Sequence, residues 1–164
     1  MAKNDATTPS APFVELLAAA KQLNKASDRV NIELQNVEKI LDGANVGLTF
    51  WFEETPLEQS DATGDVGPYD TRERTSEYLG YARVEGKWKL AVKRARKVDG
   101  FYQGDMDCPY TKVFTDGEPT ALLKASRDTR LVALRLMPQF LEAFKEKVKQ
   151  HVAEIEAATG ELFI

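Results

Sequence analysis

A single cysteine, Cys108, and a single histidine, His151, occur in the 164 residues. One thiol excludes an intrachain disulfide and any cluster of thiolate ligands, and it fits a reducing compartment. One imidazole means that a catalytic triad or a site with two histidine ligands would need a second chain. Cys108 has no basic neighbour nearer in sequence than Lys112, so nothing activates it as a nucleophile. No GxGxxG, GxxxxGK[ST] or GxSxG pattern occurs, which removes the usual phosphate cradles and the nucleophile elbow. Nor is there a run of eighteen apolar residues, and "MAKNDATTPSAP" lacks the apolar centre of a signal peptide. A cytoplasmic protein without a membrane contact is therefore expected, and no cofactor or metal is implied.

What remains is ordinary for a folded chain: 43% hydrophobic and 29% charged residues, with a formal net charge of −4. The length suits one domain rather than two. Residues 1–11 are small and polar and read as a flexible arm, leaving residues 12–164 as a single domain.

From Pro12, acceptable in a first helical turn, Leu16, Ala20, Leu23, Ser27, Val30, Leu34, Val37 and Leu41 recur at steps of four and three. This is a coiled-coil-like seam, and Asp42-Gly43 is expected to end it. In "NVGLTFWFEE", alternation places Val46, Leu48, Phe50 and Phe52 on one face of a strand, with Thr49 and Trp51 on the other. Residues 55–76 are rich in turn formers and read as a long exposed loop.

The stretch 80–97, "GYARVEGKWKLAVKRARK", puts seven basic residues into an acidic chain. With Glu85-Gly86 as a two-residue turn it becomes a hairpin near 77–94, pairing Val84 with Lys87, Arg83 with Trp88, Tyr81 with Leu90, Leu79 with Val92 and Glu77 with Arg94. One face then collects Leu79, Tyr81, Trp88, Leu90 and Val92. The other carries Tyr78, Gly80, Ala82, Ala91 and the lysines 87, 89 and 93. Glutamate is an unusual first turn residue, which leaves room for a bulge. Residues 98–118 are turn-rich, with a short strand at 110–114.

Pro119 opens a helical region running to about Ala158, with a kink or break expected near Leu136 because Pro138 removes a hydrogen bond. Its seam, Leu134, Met137, Leu141, Phe144, Val148, His151, Ile155 and Ala158, matches that of the first helix. Pairing the two antiparallel with Leu41 against Met137 sets Ser27 against His151, so that the polar members meet. The expected fold is α+β: a long N-terminal helix, a three- to four-stranded mainly antiparallel sheet, and a kinked C-terminal helical arm lying antiparallel on the first helix.

For function, the expectation is a small non-enzymatic interaction or regulatory protein. Its partner surface lies on the basic hairpin and the adjoining loops, with Lys87, Lys89, Lys93 and Tyr78 as binding residues. The partner is another protein or a second copy, giving a homodimer whose apolar stripes include Phe13, Val14, Leu17, Phe140, Val152 and the tail Leu162, Phe163 and Ile164. One alternative is a nucleic-acid-binding protein using the lysine face, since clustered cations contact phosphates. Another is a small enzyme or ligand-binding module with its site in loops 55–76 and 98–117, where carboxylates and aromatics coexist. Against binding, the segment 53–77 holds eight acidic and two basic residues, enough to neutralise the hairpin from within.

Overall fold

The computed structural model describes residues 10–62, 67, 69–102 and 105–160. The arm before Ser10 and the tail Leu162, Phe163 and Ile164 lie outside these. The order is α1 (Ala11–Gly43), β1 (Phe50–Phe52), β2 (Glu58–Gln59), β3 (Arg72–Val84), β4 (Lys87–Phe101), β5 (Pro109–Thr115), β6 (Thr120–Ala121) and α2 (Arg127–Gly160). The six strands form one antiparallel sheet in the order β1-β3-β4-β5, with β2 on β3 and β6 on β4. That is more strands than the three or four expected.

The hairpin of β3 and β4 is the spine of the molecule. Every pair anticipated between Glu77 and Arg94 is present, and the same register runs on to Arg72 opposite Asp99. Glu85 and Gly86 both take positive φ, 52° and 79°, so the turn is a tight two-residue one and not a bulge. Residues 72–76, expected in a loop, belong to β3 because an antiparallel ladder is held by backbone bonds and does not require apolar side chains on both faces.

Both helices lie on the face of Leu79, Tyr81, Leu90 and Val92. There Phe140 and Phe144 of α2 and Leu34 of α1 are sealed from water with Phe52, Leu122 and Met137. Phe50 stacks on Phe144 with ring centroids 5.1 Å apart, and Tyr81 stacks on Trp88 at 5.5 Å. Each such side chain contributes about 1.5–3 kcal/mol on full burial.

The helices depart from expectation in the start of α2, in the end of α1 and in their pairing. α2 begins at Arg127, not Pro119, because Thr120-Ala121 pairs with β4 and Leu122–Lys124 forms a 3-10 turn. The start is set by Ser126, whose hydroxyl accepts the Thr129 N–H at 3.1 Å. Pro138 then sits inside α2 without ending it. At the end of α1 the left-handed residue is Asn45, φ 49°, rather than Gly43. Finally, the pairing register differs. An antiparallel seam with Leu41 on Met137 would set Asn24 and Asn31 beside Glu154 and Lys147, but Arg127 donates to Asn24 Oδ1 and Arg130 to Asn31 Oδ1, each at 2.7 Å. Among the described residues His151 bonds only Glu154 of its own helix, and not Ser27. The aromatic residues bear on the change: Phe140 and Phe144 seat on Phe50 and Tyr81 of the sheet, while α2 still packs against α1.

Candidate partner-binding trough

The second face of the hairpin is only partly covered. Ala82, Val84, Ala91 and Ala121 form a small buried cluster with Trp51 packed on it. Trp51 lies so close over Gly80 that a Cβ there would sit 2.1 Å from its ring. This part of the lysine-bearing face is therefore buried. Beyond Trp51 the face opens into a trough of about 330 Å³ lined by Glu53, Gln59, Arg74, Ser76, Tyr78, Lys93, Ala95, Lys97, Val113 and Thr115.

The strand register places these residues. Tyr78 faces Lys93, Ser76 faces Ala95 and Arg74 faces Lys97, while β5 brings Thr115 to Ala95 and Val113 to Lys97. β2 adds Gln59 opposite Ser76.

The charges are not evenly compensated. On the helix-bearing face Arg94 pairs with Glu77 at 3.6 Å and Arg96 with Glu73 at 3.1 Å. In the trough Lys93 pairs with Glu53, and its ammonium lies 5.2 Å from the Trp51 ring centroid and 6.0 Å from that of Tyr78. Among the described residues neither Arg74 nor Lys97 has an ion-pair partner. Like charges directly opposite on a sheet repel. In addition, Arg74 Nε is buried without a hydrogen-bond partner among the described residues, a state that costs about 1–3 kcal/mol.

The four residues singled out from sequence thus separate into two groups. Tyr78 and Lys93 line the trough. Lys87 and Lys89 lie at the hairpin tip, around a second open cavity of about 490 Å³ shared with Trp88 and with Glu38, Lys39 and Asp42 of α1. In that cavity Glu38 Oε2 accepts the Leu90 N–H at 3.0 Å, and burial pushes its carboxyl above the ordinary 4.5, with Lys89 and the Leu90 bond opposing the rise. Lys87 and Lys89 there face carboxylates of their own chain.

Arg74, Lys97, Glu53 and Thr115 were not foreseen as site residues. The signal for Arg74 and Lys97 was present in the hairpin register itself, carried three residue pairs beyond Glu77 and Arg94.

The two loops of the enzyme alternative do meet, at the far end of the hairpin. Asp70 and Arg72 there border a cavity of about 240 Å³ with Asp99, Tyr110 and Thr111. Asp99 accepts the Thr111 hydroxyl at 2.5 Å. The cavity brings together two carboxylates, and among the described residues no group of three or more His, Cys, Asp or Glu could hold a metal ion. No described helix is long and apolar enough to cross a membrane. No protein family, curated protein or solved structure matches the chain.

Proposed function

We propose that this chain is a non-enzymatic interaction protein that holds an acidic segment of a protein partner in the trough on the open face of its sheet. The observation that supports it most is Arg74 set opposite Lys97 with neither charge paired among the described residues, in a chain that neutralises Arg94, Arg96 and Lys93 with its own glutamates. An acidic segment supplies the missing carboxylates, and arginine's planar fork suits them geometrically. Tyr78 and Thr115 offer hydroxyls for orientation.

The test is a titration with an oligoglutamate peptide, followed by amide chemical shifts on β3, β4 and β5. Saturable shifts around the trough, abolished in Arg74→Glu, are expected. Shifts confined to the Lys87 and Lys89 cavity would overturn the placement. Duplex DNA in parallel addresses the nucleic-acid alternative: tighter binding of DNA, falling steeply with salt, would replace the acidic protein as partner.

A second copy of the chain is a further partner, for a specific reason. The apolar stripe of α1 is half-buried or buried from Val30 onward but continues upstream through Leu16 and Leu23, which are 62% and 56% exposed. A stripe that is core at one end and open at the other fits helix pairing between chains.

A further inference from the structure

Resting on the trough as the binding surface, we infer that the group it takes is a phosphate monoester carried on a side chain of the partner. The charge balance points there. Among the described residues Arg74 and Lys97 leave two positive charges unpaired on directly opposed positions, with Cβ atoms about 5 Å apart by the geometry of such pairs. One carboxylate neutralises one of them. A phosphate monoester carries roughly −1.5 to −2 near neutral pH and presents three acceptor oxygens, enough to engage a guanidinium fork and an ammonium at once.

The surroundings agree. A volume of about 330 Å³ accommodates one headgroup and its stem rather than a folded surface. The carboxylate at the rim, Glu53, is engaged by Lys93 and so repels an incoming anion less than a free one. Ser76, Tyr78 and Thr115 border the space with neutral hydroxyls. The charged and titratable groups facing it are Arg74 and Tyr78 of β3, Lys93 and Lys97 of β4, and Glu53 after β1. β2 and β5 add only the uncharged Gln59, Val113 and Thr115. No histidine or cysteine is among them, so a pH dependence near 6 belongs to the ligand.

The experiment uses the full chain and three probes: a phosphoserine peptide, its aspartate counterpart and inorganic phosphate, each followed by trough chemical shifts at about pH 7.5 and about pH 5, on either side of the second phosphate pKa near 6. The phosphopeptide is expected to bind at least about tenfold more tightly than the aspartate peptide, and to lose about tenfold on acidification as it becomes a monoanion. Arg74→Gln and Lys97→Gln should each abolish that preference, whereas Glu53→Gln, which frees Lys93, should strengthen binding. Inorganic phosphate should compete. Equal binding of phosphopeptide and aspartate peptide, or affinity unchanged with pH as for a phosphodiester, would overturn the inference. An oligoglutamate peptide that still binds under those outcomes leaves the acidic-partner reading standing and removes only the phosphate.

Discussion

Gly80 shows how one residue sets both the core and the trough. Its missing side chain lets Trp51 lie flat on the sheet, and Trp51 in turn flanks the Lys93 ammonium that Glu53 neutralises. Gly80→Ala should lift the indole, costing about 1–3 kcal/mol as overpacking does. The same change should shift the Lys93 side-chain resonances. Urea denaturation reads the first and side-chain NMR the second, and unchanged stability would mean that the ring has room to move. Glu38 carries the second residue-scale prediction. Its folded pKa is raised, chiefly by burial, so the protonated form is favoured by folding. The stability it contributes is full below the ordinary 4.5 and is lost as pH rises through the elevated folded value. Glu38→Gln keeps an acceptor for the Leu90 N–H but cannot ionise. The stability of the native chain relative to this variant should therefore fall as pH rises across that window, and a difference that stays flat or grows would contradict the burial assigned to the carboxyl.

Among elements, the two helices divide into a packed part and a projecting part. Phe144 is 2% exposed and Ile155 51% on the same 34-residue helix. Phe144→Ala should cost about 3–5 kcal/mol, and Ile155→Ala should stay within about 0.5 kcal/mol. Comparable losses would mean that the distal end of α2 is covered. The projecting part also explains what was legible in the sequence. The β3–β4 hairpin could be read pair by pair, because a two-residue turn fixes the register and one apolar face tests it. The α1 seam was legible for the same reason, with Leu34 buried at its centre. The partner of that seam was not. Periodicity says that a stripe must be covered without saying by what: α1 does pack on α2, but four aromatic rings from β1, β3 and α2 join the same core and share the cover. The trough was half legible. Tyr78 and Lys93 stood out, while Arg74 and Lys97 were masked by turn-forming neighbours that made residues 72–76 look like loop.

For the whole molecule, the open stretch of α1 decides between two ways of completing the fold. Within one chain, residues before Asn24 make little contact with the core: Phe13, Val14, Leu16 and Leu17 are all between 47% and 62% exposed. Deleting residues 1–23 should therefore leave cooperative unfolding intact, since Asn24, Asn31 and Leu34 still hold α2 and the sheet. If a second copy covers this stretch, the native chain should sediment as a dimer across a hundredfold range of concentration, and the truncated chain should sediment as a monomer of unchanged fold. Leu16→Glu with Leu23→Glu should act like the truncation, because a charge buried without a partner opposes the pairing while costing nothing in the monomer, where both sites are wet. A native chain that remains monomeric throughout would remove the second copy as a partner. A truncated chain that unfolds without cooperativity would show instead that the projecting helix folds back on its own core.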